Sequence, residues 1–168
     1  MPRQDIVIID IDMVVADNRQ RIYDSTNNIN KINYEKFNLP ERVIKDKIIG
    51  GAVESTQKIR KYYKIIYLSS RDIQLKQTTM EWLVKNNLWR EKDELILVGS
   101  NYDKLLIIKK YLNRIFLYID DFKYDYQSKQ PKLSDHILPT LKEMRVPLII
   151  FNNWQDIIKK FRSLHRTA

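Results

Sequence analysis

The sequence predicts an α/β protein with a Rossmann-like, three-layer architecture, in which helices cover both faces of a five-stranded, mainly parallel sheet. Five short runs are apolar at nearly every position and rich in β-branched residues, as in strands buried on both faces. These runs are Ile6–Ile9, Ile65–Leu68, Leu95–Val98, Ile115–Ile119 and Leu148–Phe151. Stretches with helical periodicity alternate with them, and this alternation favours right-handed strand–helix–strand crossovers.

Five amphipathic stretches account for the predicted helices. They are Ala52–Tyr63, Ile73–Leu88, Tyr102–Leu112, Ser134–Met144 and Trp154–Leu164. Ser134 and Asn153 are of the residue types that cap helix N-termini. The basic segment Lys159–Arg166 is expected to form a helix terminus or tail.

Chain length and one long connection define the domain organisation. The 168 residues, 43% of them apolar, predict a single domain over 1–168. Between the first two predicted strands lie roughly 50 residues, many more than a simple crossover needs. We therefore expect a small cap or flap, inserted after the first strand at about 17–51.

Composition excludes several classes of function. The chain has no cysteine and only two histidines, His136 and His165, which argues against thiolate chemistry and histidine-based zinc or nucleophile sites. Its three glycines cannot build a P-loop or a dinucleotide fingerprint. The net charge of +9 favours polyanionic partners. With no signal peptide or apolar span in the sequence, we expect a cytoplasmic protein without a membrane partner.

Acidic residues follow two of the predicted strands. Asp10 and Asp12 come after the first, and Asp120 and Asp121 after the fourth. Because chemistry in such sheets lies beyond the carboxyl ends of the strands, these carboxylates are expected to converge there. Clustered carboxylates suit Mg²⁺, although each pair alone could be a solvated strand end.

Two further features fall at the same edge of the predicted sheet. The second strand ends in Ser69-Ser70-Arg71-Asp72, where a hydroxyl and a helix N-terminus could hold a phosphate or simply cap the helix. Lys104 begins the helix that precedes the fourth strand. A lysine at such a position is usually solvated, so its functional interpretation depends on the other motifs.

Taken together, the four motifs resemble those of the haloacid dehalogenase-like (HAD) phosphohydrolase superfamily. These proteins carry Asp-x-Asp after the first strand, Ser or Thr after the second, a Lys before the fourth and an acidic pair after it. The resemblance covers essentially the whole chain, with Asp10/Asp12, Ser69, Lys104 and Asp120/Asp121 in the expected order.

A more specific resemblance is to the 3′-phosphatase half of phage-type polynucleotide kinase/phosphatase and its small phage and archaeal-virus relatives. It rests on the segments 18–24 (Asn-Arg-Gln-Arg-Ile-Tyr-Asp), 34–37 (Tyr-Glu-Lys-Phe), 69–72 and 81–83 (Glu-Trp-Leu). The sequence departs from the family at Met13 and Val14, where Gly and Thr are usual, and at Ser70, which replaces a Gly.

The resemblance implies a role for each motif residue. Asp10 would be the nucleophile that forms an aspartyl-phosphate, and Asp12 the general acid and then the base. Ser69 and Lys104 would hold the phosphoryl oxygens. The Mg²⁺ cofactor would be bound by Asp10, the backbone carbonyl of Asp12 and Asp121, with Asp120 as a ligand or an orienting residue. Substrate contacts are expected from Ser70, Arg71, Arg19 and Arg21.

The sequence therefore favours a Mg²⁺-dependent phosphoric monoester hydrolase that removes 3′-phosphate from DNA or RNA ends, as in nucleic-acid repair. A small cap and the charge of +9 fit a large, phosphorylated substrate. Two alternatives remain. One is a nucleotidase or small-molecule phosphatase of the same fold, and the other is a non-catalytic HAD-like domain that binds nucleic acid or a protein.

Overall fold

The computed structural model describes residues 5–27, 32–122 and 137–167, and within them the expected α/β architecture is present. The strands are β1 (Ile6–Ile9), β2 (Ala16–Asp17), β3 (Lys47–Ile48), β4 (Lys64–Ser69), β5 (Glu94–Leu97), β6 (Ile115–Asp120) and β7 (Leu148–Ile150). The helices are α1 (Arg19–Ser25), α2 (Tyr34–Phe37), α3 (Pro40–Val43), α4 (Ala52–Arg60), α5 (Lys76–Lys85), α6 (Asn101–Tyr111), α7 (Leu138–Glu143) and α8 (Trp154–Thr167).

Five strands form the central sheet in the order β5-β4-β1-β6-β7, and every neighbouring pair is parallel. The five apolar runs of the sequence are these five strands, with ends that differ by at most one residue from the predicted bounds. Since β1 lies in the middle, between β4 and β6, its carboxyl end adjoins the ends of both. This order brings the acidic ends of β1 and β6 together.

Helices cover both faces of the sheet, because side chains of a strand alternate between faces. Val7 and Ile9 of β1 pack in a core cluster with residues of α4, α5 and α8. Ile6 and Ile8 pack in a second cluster with residues of α6 and α7. All four are fully buried, which confirms the three-layer arrangement.

The predicted helices are present, with shorter bounds at several ends. The stretch that begins at Ile73 opens with a 3-10 turn, Ile73–Leu75, before α5. Asn153 caps α8, its side-chain oxygen accepting from the backbone N–H of Asp156 at 2.9 Å. The predicted cap residue Ser134 lies outside the described residues.

The expected insertion after β1 is a small flap. Strands β2 and β3 pair antiparallel at its base, and the short helices α1, α2 and α3 lie between them in the chain. Pro40 stands in the first turn of α3, where its missing N–H costs no helical hydrogen bond. No helix in the described parts of the chain has the length and apolarity needed to cross a bilayer.

Candidate active site

Asp10 directly follows β1 and is held against the neighbouring strand. Its backbone N–H donates to the carbonyl of Ile119 in β6 at 2.9 Å. The side chain is buried, as is that of Asp12. The sheet hydrogen bond thus fixes the first acidic residue beside the end of β6.

Three carboxylates meet at this point. One oxygen from each of Asp10, Asp120 and Asp121 lies within 4.8 Å of the others, and all three residues are buried. Burial, together with the neighbouring carboxylates, raises the pKa of Asp10 well above its ordinary value, against the opposing charge of Lys104. Three acids and one ammonium leave an excess of negative charge that a divalent cation would balance, so the donor set fits Mg²⁺.

Lys104 links the two acidic strand ends. It lies in the first turn of α6 and is 2% exposed. Its Nζ donates to Asp10 Oδ1 at 2.8 Å and to Asp120 Oδ2 at 2.9 Å. Although burial lowers the pKa of Lys104, the charges of these two carboxylates raise it above its ordinary value, so the side chain is an ammonium.

Both carboxylate oxygens of Asp120 accept hydrogen bonds. Oδ1 accepts from the backbone N–H of Phe122 at 3.0 Å, and Oδ2 accepts from Lys104 and from the hydroxyl of Tyr118. These contacts favour an orienting role for Asp120, one of the two alternatives that the sequence left open. Tyr118 was not singled out in the sequence, since a tyrosine inside an apolar strand usually signals packing.

Ser69 ends β4 and reaches the acids of β1. Its hydroxyl accepts from the backbone N–H of Arg71 at 3.2 Å and lies 3.5 Å from Asp12 Oδ2. The residue is 1% exposed. The structure therefore brings Asp10, Asp12, Ser69, Lys104 and the acidic pair after β6 to one edge of the sheet.

Asp12 lies in a buried network with two arginines. Arg21 donates to its Oδ1 at 2.7 Å, and Arg71 donates to both oxygens, from Nε at 2.8 Å and from a terminal nitrogen at 2.9 Å. Asn18 adds a fourth donor at 2.9 Å. These two arginines were expected to contact substrate, and in the structure both donate hydrogen bonds to Asp12.

Asp46 completes this network and was missed by the sequence analysis. Its carboxylate accepts from Arg21 Nε at 3.0 Å and from Arg71 at 3.0 Å. Its backbone carbonyl accepts from the indole N–H of Trp82 at 2.8 Å. A fully buried Trp requires an acceptor, but a sequence does not say which residue supplies it. Asp46 thus joins the flap to the core through α5.

The two acids of the network differ in their proton affinity. Burial would raise the pKa of Asp12, but the charges of Arg71 and Arg21 outweigh it and hold that pKa well below the ordinary value. For Asp46 burial prevails over the same arginines and raises the pKa to about 6. Asp12 is accordingly a carboxylate at neutral pH.

The turn after Asp12 contains Met13 and Val14, two positions at which the sequence departs from the family pattern. Met13 has a φ of 60°, in the left-handed region that favours glycine. Val14 is fully buried, and its backbone carbonyl accepts from the indole N–H of Trp154 at 2.9 Å. The backbone therefore adopts, with a methionine, a conformation in which a glycine would be unstrained.

A cleft of about 530 Å³ opens beside this network. Its lining comes from the flap helix α2 and from the segments that follow β4 and β5, and it includes Asp12, Tyr34, Phe37, Asn38, Ser70, Arg71, Asp72, Ile73, Gln74, Val98, Gly99, Ser100 and Asn101. Ser70, one of the residues expected to contact substrate, lines this cleft. Arg19 does not, since it is exposed on the flap and pairs with Asp17 at 2.5 Å.

Comparison with known proteins supports the fold. No protein-family model matches the sequence, and no curated protein is significantly similar to it. Among solved structures, a chain of the Pnkp1/Rnl/Hen1 complex matches 91% of this chain with a TM-score of 0.54 and 15% identity. The match covers 47% of that chain, so the present chain spans about half its length.

The class C acid phosphatase from Bacillus anthracis is also similar. It matches 91% of this chain and 68% of its own, with a TM-score of 0.57 and 16% identity. Both neighbours have the HAD fold. The sheet order, the flap after β1 and these two similarities together confirm that the chain has the fold of the HAD-like phosphohydrolases.

Proposed function

We propose that the protein is a Mg²⁺-dependent phosphatase that uses Asp10 as its nucleophile and acts on phosphorylated nucleic-acid ends. The observation that carries this proposal is the convergence of Asp10, Lys104 and two further carboxylates at the carboxyl end of the sheet. Two similar structures, one of them a phosphatase by name, support the same class of reaction.

Asp10 and Asp121 are the carboxylates that would hold Mg²⁺, together with the backbone carbonyl of Asp12. When bound, Mg²⁺ would offset negative charge on the phosphoryl oxygens. Asp120 would orient Lys104, because both of its oxygens already accept hydrogen bonds. All of these groups come from the ends of adjacent strands and the start of α6.

In the first step, a carboxylate oxygen of Asp10 attacks the phosphorus in line with the leaving oxygen. The new O–P bond forms as the bond to the leaving oxygen breaks, and an aspartyl-phosphate results. Lys104 and Ser69 hold the phosphoryl oxygens while negative charge redistributes among them. The leaving alkoxide takes up a proton from Asp12 or from water.

In the second step, water attacks the phosphorus of the aspartyl-phosphate and regenerates the Asp10 carboxylate. Asp12 accepts the proton of that water. The arginine contacts support this role in particular, because they stabilise Asp12 in the anionic form that a base requires. Donation in the first step requires prior protonation of Asp12, which these contacts oppose.

The shape of the cleft and the net charge of the chain support a nucleic-acid end as the substrate. The cleft is bordered by residues that remain exposed, including Tyr34 (47%) and Ile73 (64%), so the flap does not enclose it. An unenclosed cleft in a chain of net charge +9 suits the end of a nucleic-acid strand. A mononucleotide is the second candidate, because about 530 Å³ would also accommodate one.

A substrate panel tests the proposal. The protein is incubated with Mg²⁺ and an oligonucleotide that carries a 3′-phosphate, the same oligonucleotide with a 5′-phosphate, or a free mononucleotide. Release of phosphate from the 3′ end alone supports the end-specific phosphatase. Faster release from the mononucleotide supports a nucleotidase, and no release from any substrate contradicts a phosphatase of either kind.

A further inference from the structure

A second concave surface lies away from the cleft, between α4 and α8. It encloses about 700 Å³ and is here called the α4–α8 groove. Its lining residues are Gly50, Gly51, Glu54, Ser55, Lys58, Asn153, Trp154, Gln155, Ile158, Lys159 and Arg162. The basic segment 159–166, which has no part in the proposed mechanism, supplies part of one wall.

Positive charge dominates the groove. Lys58 projects from the α4 wall, while Lys159 and Arg162 project from the α8 wall, and Glu54 is the acidic residue among the lining. The single ion pair in which these cations take part in the described structure joins Lys159 to Asp156 at 3.9 Å, and the Lys159 side chain is 77% exposed. A pair this long and this exposed holds its lysine weakly. All three cations can therefore engage an external anion.

Trp154 connects the groove to the turn that follows Asp12. A Cβ at Gly51 would meet the Cβ of Trp154 at 3.1 Å, so glycine allows the start of α4 to approach α8 closely. The indole N–H of Trp154 donates to the carbonyl of Val14, two residues after Asp12. One side chain thus lies in the wall of the groove and supports the turn that carries the candidate catalytic acids.

We propose that the α4–α8 groove binds the phosphodiester backbone of the nucleic acid whose end occupies the cleft, an inference that rests on the proposed function. Exposed cations on both walls suit a repeated phosphate backbone and its sequence-independent recognition. Contacts to the phosphodiester backbone would increase the affinity for a long strand, whereas a mononucleotide makes no such contacts.

The packing of α8 favours nucleic acid over an anionic membrane. A helix that lies on a membrane needs an exposed apolar face opposite its basic one. In α8 the apolar face, with Trp154, Ile157 and Phe161, is buried against the sheet. The basic side chains are therefore left without the apolar surface that would insert among lipids.

The test compares two triple variants with equal net charge. The first replaces the groove cations, as Lys58→Gln, Lys159→Gln and Arg162→Gln. The control replaces three exposed lysines on other surfaces, as Lys85→Gln, Lys92→Gln and Lys109→Gln. Binding of a fluorescent single-stranded oligonucleotide with a 3′-hydroxyl is followed by anisotropy over a range of salt concentrations, so that the readout needs no hydrolysis.

For the groove variant we expect the slope of log affinity against log salt to decrease by about 2, from three lost phosphate contacts. At 0.1 M salt this corresponds to a loss of about 10²-fold in affinity. The control variant should keep the wild-type slope, and both variants should hydrolyse a small aryl phosphate at the wild-type rate.

Three results would overturn the assignment of the groove. The first is an equal loss of oligonucleotide affinity in both variants. The second is a groove variant that binds the oligonucleotide as tightly as the wild type does. The third is a wild-type protein that binds phosphatidylserine vesicles but not the oligonucleotide. Failure of the proposed function has a different signature, because the aryl phosphate would then be left intact by the wild type and by both variants, whatever the binding curves show.

Discussion

The ammonium of Lys104 lies 2.8 Å from the carboxylate of Asp10, although 94 positions separate the two residues in the chain. The contact joins the first turn of α6 to the end of β1. Both groups are buried, and Lys104 also donates to Asp120 of β6. This one cation therefore sets the charge and the geometry of the cluster in which the proposed chemistry takes place.

Lys104→Met should separate catalysis from metal binding. We expect kcat for an aryl phosphate to fall about 10²–10³-fold, because an electrostatic stabiliser of the transition state is lost. Mg²⁺ should bind more tightly, since a repelling cation has been removed from the carboxylates. Steady-state kinetics and calorimetric titration with Mg²⁺ measure the two effects. Lys109→Met, an exposed change on the same helix, is the control, and a kcat within tenfold of wild type for Lys104→Met would contradict the assigned role.

With a substrate that has a good leaving group, Asp12→Asn should slow the hydrolysis of the aspartyl-phosphate more than its formation. An aryl oxide needs no proton, so Asp10 can still attack, whereas the attacking water loses its base. The aspartyl-phosphate should then accumulate and be visible as added mass on the intact, acid-quenched protein. A variant that turns over slowly without any phosphorylated protein would contradict a role for Asp12 as the base.

Met13→Gly should stabilise the protein. Met13 has a φ of 60°, and a left-handed conformation costs a non-glycine residue about 1–2 kcal/mol. Part of this gain is lost to the larger backbone entropy of glycine in the unfolded chain, so we expect about 0.5–1 kcal/mol in the free energy of unfolding. Urea denaturation measures it, with Met13→Ala as the control that keeps the Cβ. Unchanged or lower stability of the glycine variant relative to wild type would show that the turn is not strained.

Asp46 should make stability depend on pH. Burial raises its pKa to about 6 in the folded protein, from an ordinary value of 3.8. The folded state holds this proton more tightly than the unfolded chain does. The contribution to stability is therefore fully present below pH 3.8 and is lost as the pH rises through 6.

The corresponding loss in the free energy of unfolding is about 3 kcal/mol at most, as follows from the size of the pKa shift of Asp46. The stability of wild type relative to Asp46→Asn should thus decrease between pH 4.5 and pH 7.5, because asparagine does not titrate. Urea denaturation of both proteins at the two pH values measures the difference. A difference that stays constant, or that grows with pH, would show that the pKa of Asp46 is not raised.

The sheet could be predicted from the sequence because its signal is local. Each strand is a short apolar run, and burial on both faces leaves little room for polar residues. The ends of β1 and β6 were predictable for the same reason, since Asp10 and Asp120 interrupt or end apolar segments. The order of the strands then brings them together.

The arginine network was not predictable in the same way. Arg21 and Arg71 are adjacent to recognised motifs, and a basic residue near a phosphate site is first interpreted as a substrate contact. Their partner Asp46 lies in the flap, between Lys45 and Lys47, where a single acid looks like any solvated side chain. Only the folding of the flap onto α5 buries it. Long-range ion pairs of this kind have no periodic or spaced signature in a sequence.

The most direct test of the account compares phosphate release by the wild type and by Asp10→Asn, each with Mg²⁺ and with EDTA, from an oligonucleotide that carries a 3′-phosphate. We expect the wild type to release phosphate with Mg²⁺ but not with EDTA, and Asp10→Asn to release none above background although it folds like the wild type. Release by Asp10→Asn at the wild-type rate, or release that EDTA does not affect, would contradict a Mg²⁺-dependent phosphatase with Asp10 as its nucleophile.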